Sequence, residues 1–260
     1  SLTAGGKRIR PILLLMACKL AGGNEIAALP YAIACEYVHT YSLIHDDLPA
    51  LDNDEYRRGK KTNHKVFGDD MAILAGDGLQ ALAYEVMLSC IEESAKRSEE
   101  TSKKIRAANE IAKAAGTEAM VSGQVMDINS CKDEVSLTRL EKMHRMKTGA
   151  LITAAVVAGA TLAGADEKQV AAFRKYGENI GLAFQMVDDK LDVSGDSRTL
   201  GKDIHADERN EKTTYTALLS PEELDDLIRK HTQDAKEAIE GVCVCPQGLM
   251  KLADDLMLRC

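Results

Sequence analysis

The sequence predicts an all-α protein folded as a single domain. Three observations point there. Only 5 Pro interrupt 260 residues. Strong helix formers, Ala, Leu, Met, Glu and Lys, dominate the long segments. No stretch alternates apolar and polar residues as a half-buried strand would.

The elements follow in chain order. Residues 29–47 form the first predicted helix, with Ile33, Tyr37, Val38, Tyr41 and Ile44 at spacings of three and four. Pro49 disfavours helical geometry at Leu48 and marks its end. Further helical patterns cover residues 71–93, 103–128, 137–164, 166–191 and 222–241, and a last one covers 248–259. Residues 92–104 are mixed in charge and rich in Ser, and read as a solvated connection. The stretch Ala150–Ala163 is rich in small residues, so its helix can pack closely on neighbours. Neither an internal repeat nor a Pro/Ser linker divides the chain.

Composition narrows the function. The hydrophobic fraction of 45% with 28% charged residues suits a globular protein with a sizeable core. No apolar run reaches the roughly eighteen residues that would suggest a membrane span. A net charge of −8 argues against nucleic acid as the main partner. Seven scattered Cys read as reduced thiols in a cytosol-like compartment. Ser1 begins the chain without an initiator Met or a signal peptide, which predicts a missing N-terminal piece.

Two acidic clusters carry the chemistry. Asp46, Asp47 and Asp52 form Asp-Asp-x-x-x-x-Asp where a helix should end, and Asp188, Asp189 and Asp192 form Asp-Asp-x-x-Asp inside a helical pattern. Asp188 and Asp192 are i,i+4 neighbours whose like charges destabilise an isolated helix. A hard divalent cation compensates: magnesium takes one or two carboxylates plus phosphate oxygens. One acidic triplet is usually a solvated face; two, each after a strongly apolar stretch, are harder to dismiss. Basic residues lie near both: Lys7, Arg8 and Arg10 at the start, Arg57-Arg58 after the first cluster, Lys202 and Lys212 after the second. Arg binds phosphate as a planar fork and Lys as a mobile point charge. Together they suit a diphosphate.

Several ordered motifs then carry a resemblance. They are Gly5-Gly6-Lys7-Arg8-Ile9-Arg10-Pro11, His39-Thr40-Tyr41-Ser42-Leu43-Ile44-His45-Asp46-Asp47-Leu48-Pro49 and Arg57-Arg58-Gly59. Lys147-Thr148-Gly149, Phe184-Gln185-Met186-Val187-Asp188-Asp189, Leu200-Gly201-Lys202 and Lys212-Thr213-Thr214-Tyr215 follow. The chain resembles the trans-isoprenyl diphosphate synthases, the farnesyl and geranylgeranyl diphosphate synthase family. The resemblance implies the isoprenoid synthase fold, antiparallel helices around a central active-site cavity, over residues 1–260, with one or more N-terminal helices missing. It implies a homodimer, three Mg²⁺ ions per site, and a cytoplasmic enzyme, or a plastid one if a transit peptide was removed.

The implied reaction joins isopentenyl diphosphate to an allylic diphosphate, dimethylallyl or geranyl diphosphate. Asp46, Asp47, Asp52, Asp188, Asp189 and Asp192 would hold the metals, and Arg57, Lys147, Lys202 and Lys212 would clamp the allylic diphosphate. Lys7, Arg10, His39 and Arg58 would hold isopentenyl diphosphate. Thr148 and Gln185 would line the allylic cation with oxygen dipoles. His45 is left as structural, and His64 has no direct role.

The resemblance also places product-length control at Tyr41 and Ser42, five and four residues before Asp46. At about 1.5 Å per residue, Tyr41 lies about 7.5 Å down the helix from Asp46, where its ring would floor the cavity. An aromatic there resembles the bacterial short-chain type that makes farnesyl diphosphate; the alternative is geranylgeranyl diphosphate. Two departures from the family pattern are Lys190 inside the second cluster and Glu55-Tyr56 before the Arg pair.

Rival readings are weaker. The spacing from Gly195 to Lys202 imitates a P-loop, but one residue is extra and Asp203 stands where a hydroxyl should be. A terpene cyclase has no need of the set Lys7, Arg10 and His39 for a second diphosphate. A regulatory subunit would be expected to lose aspartates, and both clusters are intact.

Overall fold

A computed structural model describes residues 1–130, 135–194, 212–243 and 245–258. Among them the chain is helical nearly throughout. The long helices are α1 (Ile9–Leu20), α2 (Glu25–Asp46), α4 (Asp69–Glu93), α5 (Ser98–Ala115), α6 (Met120–Ser130), α7 (Leu137–His144), α8 (Ala150–Ala163), α9 (Glu167–Ser194), α11 (Pro221–Ile239) and α12 (Gln247–Met257). Two short ones are α3 (Asn63–Phe67) and α10 (Tyr215–Leu218).

Helix α8 is the centre of the bundle. Every residue from Leu151 to Thr161 is buried, and α1, α2, α5 and α9 pack around it. Small residues allow this: a methyl group added to Gly159 would lie 2.1 Å from the Leu14 carbonyl oxygen of α1. Gly164, at φ 86°, ends the helix in the left-handed conformation that glycine tolerates best.

Local signals set several boundaries. Asn24 caps α2 by accepting from Ile26 N at 2.9 Å. Ser220 and Glu223 form a capping box at the start of α11. Pro30 sits inside α2 without ending it.

Three expectations are corrected. Residues 103–128 are not one helix: α5 ends at Ala115, Gly116 is extended, and α6 begins at Met120. The solvated connection at 92–104 shrinks to a turn around 94–97, because α5 already begins at Ser98. The strand-free reading missed a hairpin, Tyr56–Arg57 against Lys60–Lys61. Arg58 and Gly59 turn it with φ of 54° and 71°, the positive values that two-residue hairpin turns require. Helix α1, which the sequence reading passed over, packs on α8 and α2.

Residues 137–164 are one continuous rod, with a five-residue π-helical turn, Arg145–Gly149, between α7 and α8. By length and composition, Leu137–Ala163 and Asp69–Glu93 are each long and apolar enough to cross a membrane. The first is a core helix here, two-thirds buried over its most apolar window, whereas α4 is mostly exposed.

Candidate active site

The first aspartate cluster stands where α2 stops and the chain folds back. Asp52 N donates to the Asp46 carbonyl at 3.0 Å, and Asn53 completes the turn at φ 51°. This brings Asp46, Asp47 and Asp52 to one end of α2. Each carboxylate meets a cation. Arg57 Nε and Nη2 both lie 2.6 Å from Asp47 Oδ1. Lys212 Nζ contacts both oxygens of Asp52, at 2.8 and 2.9 Å. Lys147 Nζ lies 3.6 Å from Asp46 Oδ2, and Gln124 Nε2 donates to Asp46 Oδ1 at 2.5 Å.

Asp127 joins these groups, and the sequence reading did not name it. Its Oδ2 lies 2.6 Å from Lys147 Nζ and 3.4 Å from Lys212 Nζ. Burial pushes its carboxyl up, but the two ammonium groups outweigh that and hold it below the usual range. Gln124 and Asp127 follow Gly123 on α6, which presses on the π turn: a methyl group on Gly123 would lie 2.3 Å from Lys147 N. The Gly-Gln-x-x-Asp spacing, before the Lys-Thr-Gly motif, was the available signal. The π turn widens the rod where Lys147 and Thr148 project, and such turns recur at functional sites.

The second cluster lies on α9. Asp188 is half-buried, while Asp189 and Asp192 are each 2% exposed. Asp189, set among the metal ligands by resemblance, accepts from Gln185 Nε2 at 2.9 Å and from Tyr215 N at 2.9 Å. Thr148 Oγ1 donates to Gln185 Oε1 at 3.2 Å, so the two dipole residues touch. Tyr215 is held by the second cluster and Lys212 reaches the first. Three residue steps span about 10 Å of backbone at most, so one short segment ties both clusters to a single site. Lys190 turns away from it to Asp225 of α11, at 2.6 Å.

A basic group surrounds His39. Arg10, Arg58, Arg57 and Arg8 all act on the imidazole, and burial first, then these charges, pushes its pKa well below the ordinary value. His39 is therefore neutral at pH 7. Arg10 is buried, and its Nε has no hydrogen-bond partner. Burial lowers its guanidinium to about 10, against the pull of Glu36 and Asp188. Arg8 is fixed by Glu36 at 2.7 Å, and Arg58 donates to the Gly5 carbonyl. Lys7 is exposed beside them. Lys202 lies outside the described residues.

Tyr41 is 7% exposed in the core cluster that holds Val38, Ala83, Met87 and Met120. Burial, then the nearby Tyr84, pushes its phenol up to about 12. Ser42 Oγ donates to the His39 carbonyl at 2.9 Å, within its own helix. His45 ties α2 to α4 through the Ile73 carbonyl at 3.0 Å.

The donor set fits a hard cation. Burial raises Asp46 against the pull of Lys147, and raises Asp47 to about 6 against Arg57. Asp47 is buried and Asp46 partly buried, and both are oxygen donors that gain from added positive charge. Among the described residues no three His, Cys, Asp or Glu side chains converge as a closed metal cage. Magnesium shared with phosphate oxygens needs only one or two carboxylates. Clefts of about 520 and 650 Å³ lie elsewhere, rimmed by Arg106, Glu110 and Arg174 and by Arg97, Glu99 and Lys103. Neither reaches the aspartates. Among the described residues, a cavity of about 90 Å³ borders Asp47 and Arg57, and one of about 70 Å³ borders Asp127, Lys147, Asp189 and Lys212.

Residues 1–243 match the polyprenyl synthetase family. The farnesyl diphosphate synthase of Bacillus subtilis (strain 168) is 42% identical, covering 100% of this chain and 86% of the relative. The geranylgeranyl diphosphate synthase of Cyanophora paradoxa is 47% identical, over 92% of this chain and 78% of that one. A geranyltransferase from Helicobacter pylori, solved in complex with magnesium and isoprenyl diphosphate, superposes with a TM-score of 0.82 at 28% identity, covering 98% of this chain and 83% of that one. Matched along nearly all its length in family, relatives and fold, the chain belongs to the polyprenyl synthetase family and is a prenyltransferase.

Proposed function

We propose that this prenyltransferase condenses isopentenyl diphosphate with dimethylallyl or geranyl diphosphate, forming farnesyl diphosphate and releasing pyrophosphate. One observation carries the reading. Two cation groups, one gathered on the carboxylates and one around His39, with Arg57 common to both, lie along one helix, as two diphosphates in one site require. The buried Arg10 Nε supplies a donor without an acceptor, where a diphosphate oxygen would fit.

In this reading Arg57, Lys147 and Lys212 leave their carboxylates and, with Lys202, grip the allylic diphosphate. Lys7, Arg10, His39 and Arg58 hold isopentenyl diphosphate, with His39 donating as a neutral imidazole. Asp46, Asp47 and Asp52, with Asp188, Asp189 and Asp192, would hold Mg²⁺, three ions in all, which would supply positive charge to the leaving diphosphate. The Arg and Lys side chains of the clamp stabilise the transition state as the allylic C–O bond breaks and its electron pair leaves on pyrophosphate. Thr148 Oγ1 and Gln185 Oε1 turn oxygen dipoles toward the carbon that becomes positive. The double bond of isopentenyl diphosphate attacks that carbon, and a proton passes to pyrophosphate.

Tyr41 favours the C15 product, because its buried ring closes the core below Asp46. The 47% identity to a geranylgeranyl diphosphate synthase is what favours the C20 alternative. Incubating the purified chain with Mg²⁺, labelled isopentenyl diphosphate and geranyl diphosphate decides between them by product length. Asp46→Ala and Asp188→Ala should each lose most turnover with an unchanged melting curve; full activity in either would sink the two-wall site.

The chain is read as one polyprenyl synthase domain that pairs as a homodimer. Met71, Leu74 and Leu88 of α4 stay 52–63% exposed, and Val121, Val125 and Ile128 form a stripe along α6. Such apolar faces mark an interface. The thiols of Cys18, Cys35, Cys90, Cys243 and Cys245 are free, as a cytoplasmic enzyme would keep them.

A further inference from the structure

Beside the residues assigned above lies a buried aromatic pair. His144 ends α7 and Tyr215 begins α10. Their rings stack, with centroids 5.2 Å apart and planes inclined by 24°. His144 is 7% exposed and Tyr215 0%. Neither imidazole nitrogen nor the phenol oxygen has a hydrogen-bond partner. Buried polar atoms without partners are rare and costly, so hydrogen bonding does not explain why these two rings are here. Their shape and position do.

Tyr215 lies three residues after Lys212, whose ammonium reaches Asp52 at 2.8 Å and Asp127 at 3.4 Å. Helix α10 has only four residues and little grip of its own. Its first residue packs in the core with Leu140, Leu182 and Leu224, and two directed contacts orient it there: the backbone bond from Tyr215 N to Asp189, and the face of His144. His144 also borders the small cavity lined by Asp127, Lys147 and Lys212. The ring thus joins the rod that carries Lys147 to the segment that carries Lys212.

We propose that His144 is a positioning residue for Lys212: by stacking on Tyr215 it fixes residues 212–215, and with them the reach of the Lys212 ammonium across the site. The inference rests on the reading that Lys212 grips a diphosphate. A flat ring does this work, and the ring nitrogens do not.

A double-mutant cycle tests it on the full chain. His144→Phe, His144→Ala, Lys212→Ala and the His144→Ala/Lys212→Ala pair are compared by KM and kcat for geranyl diphosphate. Binding of inorganic pyrophosphate with Mg²⁺ is measured by calorimetry, and melting curves are recorded alongside. His144→Ala should weaken pyrophosphate binding and raise KM about tenfold, as expected for losing an aromatic contact that couples to a charge. His144→Phe should stay within about twofold of the parent. In the Lys212→Ala background, His144→Ala should change little. Equal losses in Phe and Ala, or losses that multiply in the pair, overturn the proposal. Should His144→Ala fail to fold, His144→Leu fills the space without stacking and takes its place in the cycle. Failure of the parent chain to turn over substrate strikes the prenyltransfer reading instead, because the pyrophosphate cycle reads the positioning role without turnover.

Discussion

Replacing Gly123 with Ala tests how closely α6 must lie on the π turn. The added methyl carbon would stand 2.3 Å from Lys147 N and 2.6 Å from Lys147 Cα, where ordinary contact begins near 3.4 Å. Both obstacles are backbone, so no side chain can swing aside. The helix must retreat by about 1 Å or the π turn must deform. Overpacking of this kind costs about 1–3 kcal/mol. In a chain of this size that corresponds to a melting point lower by about 2–4 °C per kcal/mol. The functional loss should be larger than the stability loss. Asp127 rides on α6 and Lys147 on the π turn, and their 2.6 Å contact spans the gap that would open. A 1 Å misplacement in a preorganised site is worth about a hundredfold in rate. Steady-state turnover of geranyl and isopentenyl diphosphates, with a melting curve on the same sample, measures both. Unchanged turnover together with an unchanged melting point would show that the close approach has no role in holding Lys147 and Asp127.

Other outcomes follow from the same geometry. Tyr41→Ala should lengthen the product beyond C15 when isopentenyl diphosphate is in excess, read by chromatography; unchanged length removes Tyr41 as the floor. Lys190→Ala should leave turnover intact and shift stability by less than about 1 kcal/mol, because its pair with Asp225 is exposed on both sides. A large loss of Mg²⁺ affinity in that variant would place Lys190 in the site after all. Mutating Met71 and Leu74 to Glu should convert a dimer to monomers in sedimentation; a wild-type chain that sediments as a monomer refutes the α4 interface.

Much of the fold was legible because helical periodicity is local. The pattern of Ile33, Val38, Tyr41 and Ile44 follows from a 3.6-residue repeat, and Pro49 marks where it stops. Where the sequence reading failed, the deciding force was not local. Residues 103–128 carry helical residues without a break strong enough to see, yet the chain turns at Gly116 so that α6 can reach the π turn. The hairpin at Tyr56–Lys61 is too short to show an alternating pattern. Helix α1 was overlooked because its apolar residues face both α8 and α2, which blurs any one-sided stripe.

For the site, residue type and spacing sufficed to single out both aspartate clusters and the flanking cations, since their chemistry is written in the side chains. Their pairing was not. Lys212 is 160 residues from Asp52 and meets it only through tertiary folding. Asp127 carried a signal in its Gly-Gln-x-x-Asp spacing, but only folding placed two ammonium groups against it. Charge and periodicity, being properties of neighbouring residues, determined the helices and the candidate ligands. Contacts between distant segments decided which cation meets which carboxylate, because ion pairs depend on separations that only the packed bundle sets.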